Sequence, residues 1–294
     1  MADARAAGTI YDIGYQHYAG VRRGRSYAFR TLVEFSFRAA FGSGRGQRAQ
    51  AVPFLVCILV ILPAVVQVGV ASMMGSGDVI NYAQHLEFCA FFLALFSAAQ
   101  APELIVADRQ SGTISLYLSR SLRPTDYALA KLVALVGALF VLTAGPQLFM
   151  FVGKVLASET PWRAFVNEWR KLGPILGGTL LAACYMASVG LALAALTTRR
   201  AYASALVIAF FVLLPALSGI AGEIARGDAR RYTVLANPFL LMTGFANWLF
   251  DIQARRGSLV VRAGLPPALY LYVVAATSVV AIAMLLFRFR KAEE

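Results

Sequence analysis

The reactive side chains of this 294-residue sequence are few and poorly placed for catalysis. Two histidines occur: His17 in a polar N-terminal stretch, and His85 near Glu87 at the edge of an apolar block. His85 and Glu87 could gate a path or hold an ion, although anchoring at the membrane interface is the commoner role for such residues. Cys57, Cys89 and Cys184 all fall inside apolar blocks and form no CxxC pair, so neither a disulfide framework nor a zinc site is indicated. HExxH, GxSxG and GxxxxGK[ST] patterns are absent. The densest polar segment offers recognition instead. Asp108, Arg109, Ser111, Gly112 and Thr113 open a connector over 107–126 that lies between two membrane-length blocks. Gly112 interrupts it, Thr113 can cap a short helix, and Ile114, Leu116, Tyr117 and Leu118 give that helix an apolar side. Pro124, Thr125 and Asp126 then form a helix-start signal. Such a helix can dock in a partner's groove, or serve as an ordinary interfacial connector.

The elements that must position this segment are mostly apolar. Hydrophobic residues make up 59% of the chain and charged ones 14%, too few charges to clothe a soluble domain of this length. The formal charge of +12 could attract nucleic acid, but no recognition motif accompanies it. The basic residues sit beside apolar blocks, where anionic membrane lipid is the natural partner. The first 50 residues are polar and rich in arginine, unlike a signal peptide.

A bilayer core about 30 Å thick takes about 20 apolar residues as helix. Stretches 49–77, 132–153, 172–198, 201–222 and 263–287 meet that length without a charge. The block 88–102 is shorter and flanked by Glu87 and Glu103, and is read as a further span because topology otherwise fails to alternate. The expectation is an all-α polytopic membrane protein. Its six spans lie near 51–74, 85–106, 127–153, 172–198, 201–222 and 266–287, within a transmembrane domain over 49–287. Six spans put both termini on one side. That side, with the connector, the Arg199–Arg200 pair and the tail 288–294, carries 17 of the 27 Lys and Arg, which predicts cytoplasmic termini.

Two further segments stand out. After a polar stretch at 1–24, the segment 25–48 holds an amphipathic helix and a linker. Phe29, Leu32, Val33, Phe37, Ala40 and Phe41 fall on one face, and Arg30, Glu34 and Arg38 recur every fourth residue on the other. It is too charged to span and suits the membrane interface. Gly42-Ser-Gly-Arg-Gly46 supplies a flexible joint, not a phosphate loop, since no strand precedes it. Within the external loop 223–265, the stretch 237–250 is strongly apolar but too short to cross, which fits a re-entrant helix or one on the membrane surface. Asn237, Pro238, Phe239 and Trp248 are its candidate external gate. Arg226-Gly-Asp228 is read as a chance triplet.

The middle of every expected span lacks Asp, Glu, Lys, Arg and His. Ion-coupled carriers usually hold ionisable residues near the midplane, so a transporter built this way needs energy delivered from elsewhere. Gln67, Thr143, Gln147, Tyr185 and Ser188 are candidates to line a pathway, and Pro63, Pro146 and Pro215 are candidate kinks. Polar residues inside spans more often bond neighbouring helices.

The connector resembles that of ABC-2 type (type V exporter-like) ABC transporter permeases. An acidic and a basic residue precede Ser-Gly-Thr, then come a Leu-rich stretch, Ser-Arg, a proline, and a Lys entering the next span. Asp108, Arg109, Ser111, Gly112, Thr113, Leu116, Leu118, Ser119, Arg120 and Lys131 match; Asp108 stands where Glu is usual, and the proline comes at 124 after Ser-Leu-Arg. The amphipathic elbow, six spans and an Asn-Pro segment before the last span also fit. Tyr11-Asp-Ile-Gly-Tyr-Gln-His-Tyr18 resembles the N-terminus of actinobacterial members. The charge-free spans favour a hydrophobic or amphipathic cargo, and the resemblance implies a permease subunit of a plasma-membrane exporter. It also implies that 107–124 forms a coupling helix seated on a separate cytoplasmic P-loop ATPase, and that two permease chains pair. This chain would then bind no cofactor, with ATP and Mg held by the partner ATPase. A channel or scaffold is compatible with uncharged spans but leaves the Ser-Gly-Thr connector unexplained. A lipid-modifying enzyme would need a catalytic constellation that the sequence lacks.

Overall fold

Long apolar runs interrupted only by short polar loops can satisfy their backbone within membrane only as helices, and helices account for every span. The structure, a computed structural model, describes residues 24–44, 46–75, 79–118, 122–252 and 257–290. The expectations on 11–18, His17, Ser119 and Arg120 lie outside the described residues. Among the described residues, six helices are long and apolar enough to cross a membrane. In chain order, with the shorter elements between them, the helices are α1 (Arg25–Ala40), α2 (Gln47–Met74), α3 (Tyr82–Gln110), α4 (Thr113–Leu118), α5 (Pro124–Leu156), α6 (Pro161–Glu168), α7 (Leu172–Ala195), α8 (Arg200–Ile224), α9 (Ala229–Tyr232), α10 (Pro238–Leu249), α11 (Leu259–Ala263) and α12 (Pro267–Arg290). A 3-10 turn at Trp169–Lys171 leads from α6 into α7, which starts at Leu172, the expected start of the fourth span.

α3, α5 and α7 form the centre, and α2, α8 and α12 pack around them. The most apolar spans are the outer ones, and they are the least enclosed by protein. α3 reads as the weakest membrane segment because it is a central helix: Gln100 and Ser97 are buried against protein, where lipid solubility is not required. On α7, Gly190 leaves room for the Ser97 hydroxyl, and a Cβ there would overlap it. Ser97 Oγ donates to the Met186 carbonyl at 2.9 Å. A small residue facing a hydroxyl is a common way for membrane helices to approach closely.

His85 is buried, neither anchoring an interface nor opening to a path. Its Nε2 lies 3.1 Å from the Val60 carbonyl on α2, three residues before Pro63. Pro63 removes the N–H that would bond the Leu59 carbonyl, so His85 joins the two helices one residue beyond that break.

α1 occupies the expected elbow position. Arg25 reaches Asp126, the third residue of α5, while the Phe37 ring lies beside Gly137. Those α5 residues are eleven positions apart, so α1 runs lengthwise along three turns of α5. Its apolar face is covered by protein: Leu32 and Ala40 are buried, and the Phe41 ring lies 5.9 Å from that of Phe96 on α3. The opposite row is exposed and closes one expected pair, Arg38 to Glu34 at 2.6 Å. Gly42 and Gly44 then turn the chain into α2 in the left-handed region, at φ of 78° and 81°.

Candidate functional site

The connector forms at the end of the bundle where α3 stops and α5 starts. α3 runs four residues beyond its expected limit, so Asp108 and Arg109 stand on its last turn, not on the connector helix. Gly112 follows at φ +70°, a conformation that costs a side-chain-bearing residue about 1–2 kcal/mol, and it redirects the chain into α4. Thr113 does not cap α4 as expected. It is the first residue of that helix, and its hydroxyl donates back to the Asp108 carbonyl at 3.2 Å. Ser111 Oγ donates to the Ala107 carbonyl at 3.0 Å, so the hydroxyls of the Ser-Gly-Thr triplet close the end of α3. At the other end of the connector, Pro124 is the first residue of α5, and the Asp126 carboxylate accepts the Arg123 backbone N–H at 3.0 Å. The start signal read from the sequence is therefore local and complete.

Beneath α4 lies a cluster of charged and aromatic side chains from six helices, α1, α3, α4, α5, α8 and α12. Asp108 Oδ2 accepts Lys131 Nζ at 2.7 Å and the Tyr127 hydroxyl at 2.9 Å. Lys131 is only 2% exposed, so its charge depends on that carboxylate; a buried ion left without its partner is heavily penalised. The Tyr127 ring also meets Tyr117 of α4 and Phe289 of α12, at 5.9 and 5.4 Å between centroids. Arg109 Nη1 donates to the carbonyls of Ala195 and Thr197, at 3.3 and 3.2 Å, where the last turn of α7 has no further intrahelical donors. Its guanidinium also lies 5.7 Å from the centre of the Phe289 ring. Arg200 at the start of α8 reaches Glu103 of α3 at 3.2 Å. Arg25 makes a two-pronged pair with Asp126, at 2.7 and 2.6 Å, which ties in α1. That bond raises the Arg25 pKa above its ordinary value, so the contact does not titrate away near neutrality. Burial first, and then the Asp108 charge, raise the Tyr117 phenol pKa.

The expected apolar side of α4 divides in two. Ile114 and Tyr117 are half-buried against the bundle, whereas Leu116 is 66% exposed and points away with Ser115. Ser111 and Gly112 are also exposed. The backbone of Leu118 completes α4. The cluster can transmit displacement: every charged side chain in it is bonded to another helix, and a short exposed surface stands over it. Sequence reasoning missed Tyr127 and Arg25. A lysine just inside an apolar span needs a carboxylate, and that requirement points from Lys131 to Asp108; no comparable signal marks Arg25.

The other candidates lie elsewhere. Thr143 donates to the Leu139 carbonyl of its own helix at 2.9 Å, and Ser188 likewise to Tyr185 at 3.1 Å. Gln147 Nε2 donates to the Tyr82 carbonyl at 3.3 Å, and Gln67 Oε1 accepts the Asn81 N–H at 3.0 Å. Tyr185 is buried in the central packing. Thr143, Gln147, Tyr185 and Ser188 are buried, and Gln67 is half-buried. At the far end of the bundle, α10 is inserted among α3, α7, α8 and α12 with Leu241, Met242 and Phe245 buried, more deeply than a helix resting on a surface. Asn237 caps it by accepting the Phe239 N–H at 3.0 Å, and Pro238 is its first residue. Phe239 lies between Phe91 and Phe211, and Trp248, 45% exposed, borders a cavity of about 300 Å³ with Tyr270.

The family model of the ABC-2 family transporter proteins matches residues 10–293 of this chain. No curated protein matches it.

Proposed function

The chain belongs to the ABC-2 transporter family, an integral membrane component of ABC transporters, and on that premise we propose that it is the permease subunit of an ATP-driven exporter. A separate cytoplasmic P-loop ATPase would hold ATP and Mg and seat against α4. A second permease chain, identical or related, would complete the pathway, and the cargo would be hydrophobic or amphipathic. The excess of Lys and Arg at the α4 end supports placing that end, and both termini, in the cytoplasm of a plasma-membrane protein.

One observation carries this reading: α4 offers Leu116 outward while Asp108, Arg109, Lys131 and Tyr127 fix its base to α3, α5, α7 and α12. A partner pressing on Ser111, Gly112 and Leu116 would move a tied cluster. When ATP draws two ATPases together, that motion would reach the spans as a change of access between the two bundles. Asn237, Pro238, Phe239 and Trp248 would shape the opposite exit.

Purification from native membranes in mild detergent, without crosslinking, tests it. A P-loop ATPase is expected to accompany the chain, and Leu116→Asp is expected to release it while thermal unfolding of the permease stays within about 0.5 kcal/mol of wild type. Recovery of the wild-type chain with no ATPase would overturn the reading. Retention of full coupling by the variant would move the contact off α4.

A further inference from the structure

At the end of the bundle away from α4, a cleft of about 490 Å³ opens between α8, α9, α10 and α11, within the size range of small-molecule sites. Its lining changes with depth. Arg230, Arg231 and Arg262 border it with a single carboxylate, Glu223. Further along α8 the wall is Pro215, Ser218 and Gly219. Eight residues of helix separate Pro215 from Glu223, so the cleft descends about 12 Å into a membrane-length span. It stays open because α8 carries glycines there: a Cβ on Gly219 would meet nothing within 4 Å, and one on Gly222 would stand 3.2 Å from Thr233 Oγ1.

The polar groups of the wall are already bonded. Ser218 Oγ donates to the Thr233 carbonyl at 2.6 Å, and Thr233 Oγ1 to the Arg230 carbonyl at 2.8 Å. Arg231 is held by Asp228 at 3.1 Å and by the Ala263 carbonyl at 3.3 Å, which fixes its guanidinium at the rim. The guanidiniums are less well provided with anions. Arg230 approaches Glu223 only to 3.7 Å, with both side chains largely exposed, and Arg262 makes no ion pair among the described residues. Planar guanidiniums bind phosphate or carboxylate by paired charge-assisted hydrogen bonds.

We propose that this cleft binds an anionic amphiphile, with a phosphate or carboxylate head among Arg230, Arg231 and Arg262 and an apolar chain running past Gly219 toward Pro215. A free phosphate would satisfy the same arginines but would not use the lower cleft. The inference rests on charge and shape alone, and holds whether or not an ATPase drives the protein.

The test is native mass spectrometry of the full chain in neutral detergent, titrated with phosphatidylglycerol, phosphatidylcholine or glycerol 3-phosphate. Phosphatidylglycerol is expected to bind saturably and at least tenfold better than either of the others. The pair Arg230→Gln and Arg262→Gln should weaken it about tenfold, equivalent to about 1.4 kcal/mol. Gly219→Leu should abolish it by filling the lower cleft. Arg262→Gln alone breaks no ion pair of the described chain, and is expected to show a smaller loss in the same direction. Equal binding of glycerol 3-phosphate, or undiminished phosphatidylglycerol binding by Gly219→Leu, would identify a free-anion site and overturn the proposal. So would undiminished binding by the double arginine variant. The readout involves no nucleotide and no transport, so its failure is distinct from failure of the exporter reading.

Discussion

The two ends of the bundle spend their charges differently. At the α4 end, ion pairs join elements distant in sequence: Asp108 to Lys131, Arg25 to Asp126, and Glu103 to Arg200. At the other end, Arg231 to Asp228 and Arg230 to Glu223 lie within a few residues of one another, with exposed side chains. The Lys154–Glu168 pair, which holds α6 against α5, is the exception there. Of the three pairs at the α4 end only Asp108–Lys131 is largely buried on both sides, and a buried pair resists relative movement of its helices more than an exposed one does. One end is tied across helices, and the other is tied mainly within neighbouring residues.

Three single substitutions and one double variant test that contrast. The largest effect belongs to Lys131→Ala, which leaves the Asp108 carboxylate without its cation: about 3–5 kcal/mol of stability should be lost, read as a collapse in thermal resistance in detergent. Adding Asp108→Asn should recover a substantial part, because the orphaned charge is removed with its partner. Lys131→Ala at wild-type stability would erase the distinction between the ends. Arg109→Ala comes next, at about 1.5–3 kcal/mol for its charge-assisted bonds to the α7 terminus. Hydrogen exchange should show the cost as faster exchange at the end of α7, and an unchanged profile there would remove Arg109 from the cluster. Arg230→Ala should change stability by less than about 0.5 kcal/mol, as exposed pairs usually do. A loss as large as that of Arg109→Ala would mean that the clefted end is also rigidly tied.

Much of the architecture was legible because apolar length and charge period are direct consequences of membrane and helix geometry. Five of the six spans, the helix at 25–40 with its Glu34–Arg38 pair, and the break at Gly112 follow from local sequence. What local sequence could not give was enclosure. α3 looked marginal as a membrane segment because hydropathy measures affinity for lipid, while Gln100 and His85 are surrounded by protein. The same limit applied to the coupling candidates. Arg109 and Tyr117 read as parts of one exposed surface, yet their side chains turn inward to α7 and Tyr127, and only the folded arrangement separates them from Leu116.

The close approach of Ser97 to Gly190 has a mechanical consequence. Ser97 lies 15 residues from the first residue of α3 and 13 from the last, so the arms on either side are about 22 and 20 Å long. A helix held near its midpoint behaves as a balanced beam. Any tilt about that pivot carries its two ends in opposite directions by nearly equal amounts, about 2 Å each for five degrees. A tilt of α3 about that contact, raising its Asp108 end, would lower its Tyr82 end, beside α10, by a similar distance.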